Sequence, residues 1–239
     1  MQVILAASGG GSRGTMTEDC RQALASASCI IGAPRLLEGL AEDYTKNRVA
    51  ATRPQMILEA IRAQGDGCVV LYSGDTGFYS GTRSLIPLLE NEGISYRVFP
   101  GISSVQLLSS LLGRPWQDWL LCSAHGVDCN PVGAMMQGKP VFFLTGGELG
   151  PAELCRRLTE AGLHDLPVVV GENLSYPGQR VLRGTAGEFA KEKFESLSVL
   201  LAEPAPAATR RMPGFPDSLF TRGEVPMTKQ EVRAAILAK

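Results

Sequence analysis

Three segments rich in glycine and serine have the composition of ligand-binding loops. They are residues 8–15 (SGGGSRGT), 71–81 (LYSGDTGFYSG) and 99–104 (FPGISS). Each follows or completes a short apolar run, which predicts that each leaves the carboxyl end of a β-strand, where open α/β sheets bind ligands. Glycine adopts backbone conformations that other residues avoid, so backbone N–H groups can approach a bound molecule closely. We interpret the three segments as parts of one shared cleft.

The middle segment carries the strongest chemical signal, because Asp75 stands among three glycines. A fixed carboxylate at this point could bind a hydroxyl or an ammonium group of a ligand. The alternative is that Asp75 caps the turn that follows it, as aspartate often does. In the third segment, Ser103 or Ser104 suits the N-cap of a helix, and a plain capped turn is the alternative there.

The composition argues against several other classes of function. The 239 residues include 23 Lys and Arg and 24 Asp and Glu, so the basic excess of a nucleic-acid or membrane-surface binder is missing. None of the six cysteines forms a C-x-x-C pair, so we expect no metal site and no dithiol redox site. No apolar stretch approaches the roughly 18 residues of a membrane span, and the amino terminus does not resemble a signal peptide. We therefore expect a cytoplasmic protein with reduced thiols.

Short apolar runs alternate with amphipathic stretches and must position the loops. The predicted strands are Val3–Ala6, Cys29–Ile31, Cys68–Tyr72, Tyr96–Phe99, Leu120–Cys122, Val141–Leu144, Val168–Val170 and Val199–Leu201. The predicted helices are Glu18–Ala27, Gln55–Ala63, Thr82–Glu92, Val105–Leu111, Pro151–Ala161 and Ala186–Lys193. Pro87 is expected to kink the third helix or to end it early. The alternation predicts an α/β fold with largely parallel pairing in its first half.

Two interruptions of this pattern divide the chain. One lies near residues 115–131, and the other, at residues 203–216, contains four prolines that neither a strand nor a helix accommodates. The predicted organisation is an N-terminal α/β lobe at residues 1–118, a C-terminal α/β lobe at residues 119–203, and a proline-rich linker with a tail at residues 204–239.

Together these segments resemble the tetrapyrrole methyltransferases, which transfer methyl groups from S-adenosylmethionine. The S-G-D-x-G-F-Y-S-G and P-G-I-S-S runs are similar to the family's two most specific motifs. Other similar runs are CIIGAPRLL (29–37), GRPWQD (113–118), SAHG (123–126), LTGG (144–147) and GENLSYP (171–177). The resemblance covers roughly residues 1–203, and it departs from the family at Ser12 and Thr76, which stand where prolines are usual.

The resemblance implies a two-lobed α/β tetrapyrrole methylase fold, with a parallel-sheet N-terminal lobe and a mixed-sheet C-terminal lobe, usually as a homodimer. The methyl donor would lie between the lobes. The residues implied to bind it are Ser73, Gly74, Asp75, Phe78, Ser103, Ser104, Thr145 and Leu174. His125, at the family's S-x-H-G position, would contact the substrate or handle a proton. The alternative for His125 is a structural role with its ring hydrogen-bonded to the backbone.

Within the family, the runs are most similar to members that methylate C5 of a late precorrin in cobalamin biosynthesis. Such a tetrapyrrole carries many carboxylates, so arginines lining the cleft would suit it. The candidates are Arg13, Arg35, Arg83 and Arg114, each with a solvated surface position as the alternative.

The tail suggests a second half of the same enzyme system. Thr228 and Glu231 form a capping box that predicts a helix, and the surrounding segment resembles the opening of the decarboxylating C15-methyltransferase half. We expect that half to be fused to this chain or associated with it, and an unstructured terminus is the alternative. For the activity, the alternatives are a tetrapyrrole methylase acting elsewhere on the ring, a diphthine synthase-like methyltransferase, and a corrinoid-binding module without turnover.

Overall fold

The computed structural model describes residues 1–40, 44–45, 47–126, 128–204 and 227–237. The chain divides into a large unit, Met1–Ala205, and a C-terminal unit, Pro206–Lys239. The described part of the C-terminal unit contains helix α9 (Gln230–Leu237), which confirms the helix predicted in the tail. Apart from Pro204, the predicted proline-rich linker lies outside the described residues. Within the described residues, no helix has both the length and the apolar character needed to cross a membrane.

The first sheet is entirely parallel. Its strands are β1 (Gln2–Ala7), β2 (Cys29–Gly32), β3 (Arg48–Ala50), β4 (Cys68–Tyr72) and β5 (Ser95–Phe99). They lie in the order β3-β2-β4-β1-β5, and in the register Ala6 pairs with Leu71 on one side and with Phe99 on the other. Strands β2 and β4 are nearly continuous apolar runs because both faces of a parallel sheet are covered by helices. The parallel pairing predicted for the first half is therefore confirmed.

Helices pack on both faces of this sheet and leave its carboxyl edge to the loops. They are α1 (Glu18–Ser26), α2 (Pro34–Glu38), α3 (Pro54–Gln64) and α4 (Thr82–Asn91), and helix α5 (Ser104–Leu112) follows β5. Ile61 of α3 and Leu85 of α4 belong to one apolar cluster with β1, while Leu24 of α1 belongs to the cluster on the opposite face. Both clusters are buried, so the strand ends are held in fixed positions.

The second sheet is mixed, as expected. Its strands are β6 (Leu120–His125), β7 (Val141–Gly146), β8 (Pro167–Glu172), β9 (Arg180–Thr185) and β10 (Ser198–Ala202). The order is β6-β7-β10-β8-β9, in which β6 and β7 are parallel and the other pairs are antiparallel. The helices of this part are α6 (Pro131–Met135), α7 (Pro151–Glu160) and α8 (Ala186–Phe189).

Helix α5 is packed against the second sheet, although it follows the last strand of the first. Its residues Val105 and Leu108 share an apolar cluster with Phe142 of β7 and Val199 of β10. Helices α7 and α8 cover the other face of the same sheet. The two sheets therefore belong to one compact unit, with α5 joining them. The strands change sheets between Phe99 and Leu120, and the lobe boundary at residue 118 stays a prediction.

The structure corrects two details of the predicted helices. Of the two alternatives for Pro87, a kink or an early stop, the early stop is wrong: α4 continues to Asn91, and the buried Leu85 and Leu89 on either side of Pro87 hold it against the core. Helix α8 ends at Phe189 and not at Lys193, and the chain turns so that Phe194 packs edge-on against Phe189 at 5.3 Å between ring centroids.

Candidate active site

The three loops predicted to share a cleft do lie side by side. They follow β1, β4 and β5, which are neighbours in the sheet with β1 in the middle. Gly9 and Gly74 exchange two backbone hydrogen bonds, at 3.1 Å for Gly9 N to Gly74 O and 2.8 Å for Gly74 N to Gly9 O. Both glycines have positive φ, 67° and 71°, a region that other residues rarely occupy. The first loop and the second loop are thus fixed to one another.

Asp75 fixes the second loop to the third. Its Oδ1 accepts from Gly101 N at 3.0 Å and its Oδ2 accepts from Gly77 N at 3.1 Å. The turn-capping interpretation of Asp75 is therefore correct. Each carboxylate oxygen still has acceptor capacity, and the side chain is only half buried, so a ligand donor can also reach it.

Thr76 shows how the second loop keeps its shape without the usual proline. Its hydroxyl donates to Phe99 O at 3.2 Å, and its carbonyl accepts from the Thr82 hydroxyl at 2.6 Å. The side chain is buried. Hydrogen bonds to the end of β5 and to the start of α4 therefore stabilise the loop.

The first loop, which also lacks a proline, is supported from the second sheet. Gly11 has φ 97°, and a Cβ there would lie 2.9 Å from Cε2 of Tyr176. A Cβ on Gly10 would lie 2.7 Å from Cδ1 of Leu107. A side chain at either glycine would therefore displace Tyr176 or Leu107 from its present position.

Residues at the carboxyl ends of β6 and β7 form the opposite wall. Thr145, buried at the end of β7, donates from Oγ1 to Ser198 O at 2.5 Å. Nδ1 of His125, at the end of β6, lies 3.3 Å from Thr145 O. A Cβ on Gly146 would lie 2.9 Å from Cγ of His125, so a side chain there would displace the imidazole from its present position. The backbone contact predicted as the structural alternative for His125 is present.

A buried carboxylate holds the segment at residues 195–198. Glu172, at the end of β8, is 0% exposed. Its Oε1 accepts from Glu195 N at 2.6 Å, and its Oε2 lies 2.6 Å from Nη2 of Arg180. Asn173 N donates to Leu197 O at 2.8 Å. These contacts fix the course of the segment.

These walls enclose a cavity of about 270 Å³. All eight residues implied for the methyl donor line it, together with His125 and Arg35. They come from the second loop, the third loop, the end of β7 and the loop after β8. We call this space the cofactor cavity.

The resemblance did not name several residues that line the cofactor cavity. They are Gly9, Gly10, Tyr79, Leu107, Leu144, Gly171, Tyr176 and residues 196–199. Tyr176 belongs to the GENLSYP run, so the motif could have indicated it. No motif marks residues 196–199. They line the cavity because the contact of Glu172 with Glu195 N fixes the course of this segment, which is distant in sequence from the three loops.

Only one of the four candidate arginines, among the described residues, reaches the cofactor cavity. Arg35 lines it, with Nη1 3.4 Å from the Tyr176 hydroxyl. Arg13 is exposed on the first loop. Arg83 lines a separate cavity. Arg114 forms an ion pair with Glu203 and lies over the Trp119 ring at 5.9 Å, which gives it a structural role instead.

Comparison with known proteins identifies the family. A family model described as Tetrapyrrole (Corrin/Porphyrin) Methylases matches residues 2–190. This chain is a tetrapyrrole methylase.

Two curated relatives of this methylase act at C5 according to their names. The precorrin-6Y C(5,15)-methyltransferase [decarboxylating] of Sinorhizobium sp. is 31% identical over 229 residues, which are 92% of this chain and 54% of that protein. The methylase thus spans about half the length of this relative. The cobalt-precorrin-7 C(5)-methyltransferase of Salmonella typhimurium is 32% identical over 176 residues, covering 72% of this chain and 85% of that protein.

Solved structures show the same fold for the methylase. The uroporphyrin-III C-methyltransferase of Thermus thermophilus, complexed with S-adenyl homocysteine, matches with a TM-score of 0.70 at 18% identity and covers 87% of this chain and 99% of its own. The precorrin-6Y methylase of Archaeoglobus fulgidus matches with a TM-score of 0.66 at 20% identity, covering 85% and 97%.

The cofactor cavity of the methylase has the chemistry that S-adenosylmethionine requires. Phe78, Leu144, Leu174 and Val199 offer apolar surface, and Asp75 offers a carboxylate. Next in sequence to lining residues, the buried hydroxyls of Ser8 and Ser175 have no hydrogen-bond partner among the described residues. Buried hydroxyls without partners are rare. The described residues contain no group of three or more His, Cys, Asp or Glu placed to hold a metal ion.

Proposed function

We propose that this chain is an S-adenosylmethionine-dependent methyltransferase that methylates C5 of a late precorrin or cobalt-precorrin. The observation that carries the proposal is the convergence of eight sequence-implied residues, from four separate segments, on one cavity. The two relatives whose names specify C5 support the position of methylation.

The chain's own residues would bind and orient both reactants. When bound, S-adenosylmethionine supplies a methyl group already activated by its sulfonium. Phe78, Leu174 and the glycine loops would fix the donor and exclude water, while Asp75 would accept hydrogen bonds from its polar groups. Correct orientation of two reactants can lower a barrier by several kcal/mol, up to about 7–11.

His125 is the residue we assign to proton handling. With its proton on Nδ1, the imidazole donates to Thr145 O and leaves Nε2 as an acceptor beside the cavity. A neutral ring carbon that gains a methyl group leaves the ring with a positive charge. Loss of a proton to a nearby base removes that charge. We expect His125→Gln to lower kcat while leaving the affinity for S-adenosylhomocysteine unchanged.

The first experiment is a thermal shift with S-adenosylhomocysteine, with ATP as the control nucleotide. At about 100 times Kd, binding should stabilise the protein by about 2.7 kcal/mol. For a chain of this size, this corresponds to very roughly 5–10 °C. A shift with S-adenosylhomocysteine alone supports the cofactor assignment. No shift at saturation contradicts it.

The second experiment is methyl transfer from ¹³C-methyl-labelled S-adenosylmethionine to cobalt-precorrin-7. We expect one labelled methyl group in the product, at C5 by carbon NMR. Label at another carbon would favour a different tetrapyrrole methylase, and binding without transfer would favour a non-catalytic module. Methylation of another substrate class would contradict the proposal.

Two partners are also part of the proposal. We propose that the methylase forms a homodimer, which light scattering of the purified protein tests. We also propose that it works with a C15-methylating, decarboxylating half, since the Sinorhizobium relative carries both positions in its name and is nearly twice as long as the matched region. Co-purification with such a half, or a longer reading frame that encodes it, would support this.

A further inference from the structure

A second cavity of about 490 Å³ lies next to the cofactor cavity. Phe78 and Tyr79 line both cavities, so these two residues form the partition between them. The second cavity is otherwise bounded by the second loop and by Arg83, Ile86 and Leu121. We call it the Arg83 cavity.

The partition is held in place from both sides. Tyr79 has φ 48°, an unusual value for a residue other than glycine, and its hydroxyl donates to Leu121 O at 2.8 Å. Its ring meets that of Phe78 edge-on, with 4.8 Å between centroids. A tyrosine phenol is protonated at neutral pH, and burial, followed by the proximity of Cys122, raises the pKa of Tyr79 further. The two cavities are therefore adjacent and share the wall that Phe78 and Tyr79 form.

Charge indicates what the Arg83 cavity accepts. No acidic side chain lines it, and within the described part of the chain the Arg83 guanidinium has no hydrogen bond or ion pair. A guanidinium without a protein partner presents a planar set of N–H donors that matches a carboxylate.

A third cavity, of about 620 Å³ beside the ends of β6 and β7, is a poor alternative for an anion. It is lined by Asp128, Glu148 and Glu153. Its arginine, Arg157, already contacts Glu153 at 2.9 Å and Asp128 at 3.4 Å. An anionic group entering there would meet carboxylates and no available cation, so charge favours the Arg83 cavity.

We propose that the Arg83 cavity binds a carboxylate side chain on the rim of the acceptor tetrapyrrole, while the ring faces the cofactor cavity. The inference rests on the proposed function, because that function supplies an acceptor whose ring carries acidic side chains. Arg83 would then set the orientation of the ring, and with it the carbon that faces the methyl donor.

The test compares Arg83→Gln, Arg83→Lys and Arg83→Glu with Arg183→Gln as the matched control. Arg183 is exposed on β9 and lines none of the three cavities. Three quantities are measured for each variant: the Kd of cobalt-precorrin-7 by absorbance titration with S-adenosylhomocysteine present, and the KM value for each of the two substrates. The thermal shift with S-adenosylhomocysteine verifies that each variant is folded.

We expect Arg83→Gln to weaken acceptor binding about tenfold, the effect of one charge-assisted contact, with cofactor affinity unchanged. Arg83→Lys should lie between Arg83→Gln and the unaltered protein, Arg83→Glu should bind worst, and Arg183→Gln should behave as the unaltered protein. Acceptor affinity within twofold of the unaltered protein in Arg83→Gln would overturn the inference. Binding of the acceptor without methyl transfer would overturn the proposed function but not this site. Failure of the unaltered protein to bind the acceptor would overturn both.

Discussion

Oδ1 of Asp75 accepts a hydrogen bond from the backbone N–H of Gly101 at 3.0 Å, and this contact joins two loops that line the same cavity. The second oxygen accepts from Gly77 N. Because two N–H groups depend on one carboxylate, Asp75→Ala should lower the free energy of unfolding by about 1–3 kcal/mol and weaken S-adenosylhomocysteine binding at least tenfold. Urea unfolding and calorimetric titration measure the two effects.

Asp75→Asn is the informative companion variant. The amide has one acceptor oxygen, so it can satisfy only one of the two N–H groups, and its NH₂ group would face the other. We expect an effect close to that of Asp75→Ala. Full cofactor affinity in both variants would show that the loops are positioned without this side chain.

Gly101 should tolerate no side chain. A Cβ there would lie 2.6 Å from Cβ of Ala7, and closer still to the carbonyl oxygen of Gly74. Overpacking typically costs about 1–3 kcal/mol. Gly101→Ala should therefore destabilise the protein by this amount and reduce cofactor binding, since β1 or the second loop must shift. Gly14→Ala, where a Cβ would meet nothing within 4 Å, is the control, and its unfolding midpoint should stay near that of the unaltered protein. Equal midpoints for both variants would refute the steric argument.

Glu172 should matter more than an exposed glutamate. Glu172→Ala leaves the Glu195 N–H without its acceptor, which should cost about 1–3 kcal/mol, while the exposed Arg180 guanidinium stays solvated. The matched control is Glu160→Ala, whose ion pair with Arg156 is exposed and contributes about 1 kcal/mol or less. Because residues 196–199 line the cofactor cavity, Glu172→Ala should also weaken S-adenosylhomocysteine binding. A variant that loses stability but binds normally would confine Glu172 to a structural role.

Buried thiols predict a loss of stability at alkaline pH. Burial raises the pKa of Cys20 and of Cys68 to about 11 and that of Cys155 to about 12, against about 8.5 for a free thiol. Between these values the unfolded chain ionises its thiols and the folded protein does not. The free energy of unfolding should therefore fall steadily as the pH rises from about 8.5 towards 11. Urea midpoints measured across this range test it, and Cys155→Ala should reduce the slope. Urea midpoints that do not change across this pH range would contradict the raised thiol pKa values.

Continuous apolar runs made much of the fold predictable. Strands β2 (CIIG) and β4 (CVVLY) are buried on both faces, so each is a nearly continuous apolar run that indicates a buried strand. Strand β3 (RVA) has three residues at a sheet edge, and β9 (RVLRGT) mixes exposed arginines with apolar residues at another edge. Neither has a continuous apolar run or a clear alternation of apolar and polar residues, so the sequence pattern predicts neither strand. The five-residue helices α2 and α6 are too short to show helical periodicity.

The site was predictable where the loop backbone itself requires glycine. The glycines at 74 and 101 mark such places, and the residues predicted around them line the cavity. Contacts between segments that are distant in sequence leave no comparable signal in the local sequence. Nothing in the run GRPWQD indicates that Arg114 pairs with Glu203, 89 residues away. The presence of Arg83 in its own cavity likewise depends on how the second loop folds back beside Leu121.

The ion pair between Arg114 and Glu203 joins the point where the chain enters the second sheet to the point where it leaves. All five strands of that sheet fall between these residues, and helix α5, which packs on it, begins at Ser104. The two ends of this second half therefore lie together. An exchange of residues 104–203 between family members would cut neither sheet and would leave α5 with its packing partner.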